Sequence, residues 1–364
     1  MRFKTSGTLP TVALAVAALA NVLLAQDITN VRPRFTIRTH PVFIKTAPSA
    51  GLPLWTGSFT YQGTGYTFQM VGTNPGNTNK ATIVPTFFIP IKMVYNNSHG
   101  NKTFDPNKAK FKGTTISVSQ TILTSPIFNT GVNFKEAGTD LGNTQYVDAF
   151  QRGSFWGKHV KTNAKYHILL GKPTVLPEQT INCNTSACSV VVNPISGKGL
   201  VGLEDLYAFD AIVNSYIAKF SQIHPNALPI FLTYDTYLTD GGVCCEGGYH
   251  GTGGNGVEGQ SYAYATTIDQ GPGVFSQDTA ALSHEIGEWT DDPLIDNITP
   301  CGILEVGDPL VLHDYPYALH GFTYHLQDLV WLPYFGAPKS TSLLGWLSFQ
   351  KEFTSVCQNG GVSQ

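Results

Sequence analysis

Charge is scarce in this chain of 364 residues, where Asp, Glu, Lys and Arg together make up only 13%. The basic residues are scattered, and with no Lys/Arg cluster to release counterions the chain is unsuited to nucleic acid or an anionic membrane surface. Past residue 26 no apolar run is long enough to span a bilayer, so the mature chain should carry no membrane span. There is no spaced C-x-x-C pair for a cysteine-built metal site. There is no G-x-S-x-G nucleophile turn, and Gly251-Thr-Gly-Gly254 lacks the lysine of a phosphate-cradling loop. No internal repeat is visible. What is plentiful is Gly, Asn, Thr and Tyr, which suits a β-rich extracellular protein with long polar loops.

The N-terminus has the layout of a cleaved signal peptide. Arg2 and Lys4 form a short basic region, Thr11 to Ala25 is uncharged and apolar, and Ala18-x-Ala20 and Ala25 offer small residues for cleavage. Residues 1–25 are therefore expected to be removed on export to the periplasm, the cell surface or the medium. Six cysteines, an even number, then read as disulfides. Cys183 with Cys188 and Cys301 with Cys357 are candidate pairs. Cys244 bonded to its neighbour Cys245 would stiffen a turn at Gly247-Gly248.

The elements point to an α+β protein. Residues 26–195 read as a β-rich domain, in which Phe59-Thr-Tyr61 and Tyr66-Thr-Phe68-Gln-Met70 flank a Gly-containing turn as a hairpin. Pro85 and Pro90 belong on edges or bulges. Thr144 can cap a helix running to Arg152, with Asp148 spaced four residues from that arginine. Residues 196–364 form a second domain with more helix. Leu203, Leu206, Phe209, Val213, Tyr216, Ile217 and Phe220 predict an amphipathic helix from about 202 to 220. Strands at 230–234 and 261–267 flank a Gly-rich loop at 241–259, and a further helix is expected over 278–289, started by Ser276 and stopped by Pro293.

That last helix carries the chemistry. Leu282, Ile286 and Trp289 form its apolar stripe, and His284, Glu285 and Glu288 project from the other side. His284 and Glu288 are one turn apart on one face, so both can hold one divalent metal. Glu285 is placed to take a proton from an activated water, the logic of H-E-x-x-H hydrolases. Glu288 replaces the second histidine, and a carboxylate there admits manganese or calcium as well as zinc. Downstream, Leu304-Glu305-Val-Gly-Asp308 offers two further acids. The bland reading of all this is an ordinary amphipathic helix followed by an acidic turn.

The order helix, strand, Gly-rich loop, strand, motif helix resembles the N-terminal part of the zincin metallopeptidase fold. The run His284-Glu-x-x-Glu288, Asp292-Pro293 and Glu305-Val-Gly-Asp308 is similar to a group of secreted bacterial proteins with H-E-x-x-E-x-x-T-D-P followed by G-E-I-G-D. Cys244-Cys245 to Gly248-Tyr-His250 and Gln145 to Arg152 match that group too. Here the Thr stands one residue earlier, at Thr290, and Pro309 follows Asp308 where a cysteine is common. The resemblance implies a zincin-like second half and a zinc-dependent peptidase acting on a peptide or protein substrate. It implies His284 and Glu288 as metal ligands, Glu305 or Asp308 as the third, and strand 261–267 as the edge that aligns the peptide.

Other residues stay open. His250, in the Gly-rich loop, is a candidate to touch metal or substrate, or to make a structural hydrogen bond. His313, His320, His325 and Tyr324 are candidates to stabilise an oxyanion. Two rival functions remain. One is a noncatalytic secreted binding or adhesion protein, with a structural ion or none. The other is a glycoside hydrolase, disfavoured because Glu285 and Glu288 share one helix instead of facing each other across a bond.

Overall fold

The computed structural model describes residues 30–40, 51–97, 100–185, 188–253, 259–269 and 275–358, so the expected signal peptide lies outside the described residues. The fold is mixed and strand-rich, built on one eleven-stranded sheet. Its strands are β1 (Asn30–Thr39), β2 (Thr86–Asn97), β3 (Gly100–Phe104), β4 (Thr174–Val175), β5 (Gln179–Cys183) and β6 (Ser189–Val192). They continue with β7 (Leu200–Asp205), β8 (Leu228–Tyr234), β9 (Thr236–Asp240), β10 (Val243–Thr252) and β11 (Ser261–Thr267). The helices are α1 (Val118–Leu123), α2 (Tyr146–Ser154), α3 (Leu206–Lys219) and α4 (Ala280–Asp291).

The main path runs β4-β2-β8-β11-β10-β9-β7-β6, with β3 and β5 also on β2 and β1 on β10. Strands from both sides of residue 195 thus share one sheet, and the division expected there separates neither sheet nor core. Strand β10 is paired along both edges. One edge meets β9 and then β11, and the other carries the parallel strand β1. Strand 261–267 lies between β8 and β10, so it has no free edge for an extended peptide and cannot play the aligning role expected of it.

Alternation along the strands divides the molecule into layers. In β11, Tyr262 and Tyr264 pack with Phe209, Val213 and Ile217 of α3, and Ala263 and Ala265 pack with Leu282, Ile286 and Trp289 of α4. Alanines on that face let α4 lie close to the sheet, where Trp289 Nε1 donates to Ser261 Oγ at 2.8 Å. The register sets His250 beside Ala263 and Gly248 beside Ala265, on the α4 side of the sheet.

Several local expectations are corrected. Residues 200–205 form β7, and α3 starts only at Leu206, because the Asp205 side chain accepts from Ala208 N at 2.9 Å and caps it there. Pro90 lies inside a central strand, at the point where β2 passes from pairing with β4 to pairing with β5. Its missing N–H falls in that gap. Asp148 is not paired with Arg152. It accepts from Thr144 and from Ile168 N and pairs with His167, while Arg152 donates to the carbonyls of Leu141, Ala164 and Tyr166. The hairpin Leu54–Tyr61 with Thr64–Val71 forms as expected. The disulfides are Cys183–Cys188, Cys244–Cys245 and Cys301–Cys357. Gly247-Gly248 lies within β10 and is not a turn. Among the described residues no helix is long and apolar enough to cross a membrane.

Candidate metal centre

Helix α4 is not a surface helix with one solvated face, since every residue from Ala280 to Asp291 is buried. Its N-terminus is held by Asp278, whose Oδ1 accepts from Thr279 N and His325 N, each at 2.6 Å, and not by Ser276. Its C-terminus is held by Asn297, which donates to the Asp291 carbonyl at 2.8 Å, and by contact of Gln151 on α2 with the Asp291 carboxyl. The helix is therefore anchored at both ends, and its polar edge faces inward.

That edge meets the sheet and the downstream acidic segment in a cluster of His250, His284, Glu285, Glu288, Glu305 and Asp308. His284 Nε2 lies 3.0 Å from Glu288 Oε2 and 3.6 Å from Asp308 Oδ1. On the sheet side, His250 Nδ1 lies 3.6 Å from Glu288 Oε2, 3.7 Å from Glu285 Oε2 and 3.9 Å from Glu305 Oε2. All the expected site residues converge, and the downstream acids divide, Asp308 toward His284 and Glu305 toward His250. His250 stands on β10 and not in a loop. Ligand atoms on one ion, with bonds of about 2.1 Å, lie no more than about 4.2 Å apart, and every spacing just given falls within that limit.

A further set of residues, which the sequence does not reveal, holds the ligands in place. His284 Nδ1 lies 3.0 Å from Gln327 Oε1. Because Gln327 Nε2 donates to the Gly307 carbonyl at 2.8 Å, its oxygen faces the imidazole. Nδ1 is thus the nitrogen that donates to Gln327, and Nε2 is the one that faces the cluster. Glu288 Oε1 accepts from the backbone N–H groups of Gly307 and Asp308 at 3.0 and 3.1 Å, leaving Oε2 to point inward. A Cβ on Gly307 would lie 2.4 Å from His284 Nδ1, so only glycine lets this segment approach. Gly248 serves Glu285 similarly, with a Cβ falling 2.7 Å from Oε1. On β1, Phe35 stacks over the His284 ring with centroids 3.7 Å apart and closes that side.

The donor atoms are buried yet unsatisfied. Among the described residues none makes a well-directed hydrogen bond to either ring nitrogen of His250, His284 Nε2, either oxygen of Glu285, Glu288 Oε2 or Glu305 Oε1. Each such atom costs about 1–3 kcal/mol if nothing satisfies it. Burial, and then the charge of Glu288, push the carboxyls of Glu285, Glu305 and Asp308 well above the ordinary range. Burial pushes Glu288 the same way, but the His284 and His250 imidazoles outweigh it and hold that carboxyl below its usual value. Mixed imidazole and carboxylate donors, converging and unsatisfied, fit a divalent cation.

The other candidates lie elsewhere. His313 pairs with Glu352 at the surface, His320 faces Asn129, and His325 is bound to Asp278 at 2.6 Å. The Tyr324 hydroxyl donates to the Thr121 carbonyl. Cys183 and Cys188, near Glu204, are joined in a disulfide and so do not act as thiolate ligands. Comparison with known protein families, with curated proteins and with solved structures finds no match to this chain.

Proposed function

We propose that this chain is an exported, metal-dependent hydrolase with a zincin-like centre that acts on peptide bonds. The convergence of buried, unsatisfied imidazole and carboxylate donors around the edge of α4 carries this reading. His284, Glu288 and Asp308 are the proposed ligands of a zinc ion, with manganese or calcium as the rival ions. A bound cation would polarise a carbonyl and acidify a water molecule. Glu285 is the proposed proton acceptor, since both its oxygens are uncommitted and it stands next to the ligands on the same rigid helix. Gln327 keeps the imidazole in the ligating tautomer, and the Gly307 and Asp308 N–H groups orient Glu288. Phe35 covers His284, so its side chain would have to swing away for a substrate to reach the centre. The outer edge of β1 has no strand partner among the described residues, which suits docking of an extended peptide. The disulfides and the signal-like N-terminus support export.

The test compares the purified mature protein with His284→Ala and Glu285→Gln by elemental mass spectrometry and by hydrolysis of denatured protein. The proposal expects metal in the wild type, none in His284→Ala, and metal without activity in Glu285→Gln. A specific observation favours a second reading, a noncatalytic protein with a structural ion: His250, His284 and Glu285 have no measurable solvent exposure. Metal loss that lowers the thermal midpoint, together with no hydrolysis by the loaded wild type, would select this second reading.

A further inference from the structure

One ion does not use the whole cluster. With His284, Glu288 and Asp308 around one cation, His250 and Glu305 are left facing each other at 3.9 Å with uncommitted buried atoms. His250 is wholly buried, and neither of its ring nitrogens makes a well-directed hydrogen bond among the described residues. The donors also fall into two compact sets, His284 with Glu288 and Asp308, and His250 with Glu285 and Glu288, and Glu288 belongs to both. Its Oε2 lies 3.0 Å from one imidazole and 3.6 Å from the other, while its Oε1 is occupied by backbone N–H groups.

We propose that the cluster binds two divalent cations side by side, sharing Glu288, with His284 and Asp308 on the first and His250 and Glu305 on the second. Glu285 borders the second position, 3.7 Å from His250 Nδ1, and stays available as proton acceptor. This rests on the metal-centre reading above and deepens it: the centre would become a two-ion hydrolase site, where paired cations would stabilise the attacking and leaving oxygens of a substrate. It also resolves the choice between Glu305 and Asp308 as the further ligand, because each serves a different histidine.

The test uses the mature chain stripped with chelator and titrated with Mn(II) or Zn(II), with bound metal counted after desalting. Electron paramagnetic resonance of the Mn(II)-loaded wild type gives a readout that needs no variant. Saturation at two ions per chain with a spin-coupled Mn(II) signal is expected, and His250→Ala and Glu305→Gln should each halve the bound metal. Saturation at one ion with an uncoupled signal, lost in His284→Ala and kept in His250→Ala, would overturn the second ion and leave the one-metal hydrolase standing. No bound ion under any condition would overturn both.

Discussion

Buried carboxyl groups meet three different fates in this molecule. Asp210, on α3, is enclosed by groups of the chain itself. Its carboxylate contacts His40 Nε2 at 2.8 Å and Arg38 Nε at 3.3 Å, and it accepts from the Tyr262 hydroxyl at 2.6 Å. Burial opposes its charge, but these partners outweigh burial and hold it below the ordinary range. Glu204, on β7, has no cationic partner among the described residues, and burial pushes it from 4.5 to about 7, so a proton is what neutralises it. Around His284, both oxygens of Glu285, Glu288 Oε2 and Glu305 Oε1 are buried and accept no well-directed hydrogen bond among the described residues. The same chain thus knows how to enclose a buried acid and, at α4, does not do so. That contrast supports the proposal that the cluster holds a ligand.

The largest expected effect separates the first fate from the third. Stripping metal with chelator should destabilise the wild type by about 4 kcal/mol relative to protein held in a thousandfold excess over Kd, measured as a fall in thermal midpoint. Asp210→Asn should keep its full metal content while losing about 2–3 kcal/mol of stability, because Arg38 and His40 lose their counter-charge. Denaturant unfolding alongside metal analysis checks both halves. If Asp210→Asn lost metal, the two clusters would not be independent.

Next comes the support of the centre. Gln327→Ala should weaken metal binding about 10–100-fold, read by titration, with an unaltered fold by circular dichroism. An unchanged affinity would mean that the Gln327 contact does not orient His284. The smallest effect belongs to Glu204. Its value in the folded chain is raised, so the stability it contributes is complete below about pH 4.5 and drains away as pH rises through about 7. Glu204→Gln, which mimics the protonated acid, should flatten the decline in stability between about pH 5 and about pH 8 by about 1–2 kcal/mol. An unaltered slope would show that Glu204 does not titrate in that window.

The sequence made the ligands on α4 legible because four-residue spacing on a helix is a rigid geometric fact. The downstream acids were visible as a pair but not as partners of different histidines. His250 was visible only as one open candidate, because its surroundings read as a loop. Gly248 is not there for a turn but because Glu285 packs against its Cα, a tertiary requirement that no local pattern carries. The strand at 261–267 was recognisable from its alternation, yet its place inside the sheet depends on β8 and β10 pairing along its two edges, which no local pattern carries. Gln327 and Phe35 carry no local signal at all, since their roles exist only once His284 is in place. The boundary at residue 195 followed a real change in texture, but hydrogen bonding joins the strands on its two sides.

The most direct test of the central claim is an anomalous difference map from crystals of metal-loaded protein, collected at the absorption edge of the added ion. A metal centre on α4 gives a peak at bonding distance from His284 Nε2, Glu288 Oε2 and Asp308, and at full loading a second peak between His250 and Glu305. A map with no peak among these side chains, from crystals soaked in millimolar zinc and manganese, would contradict it.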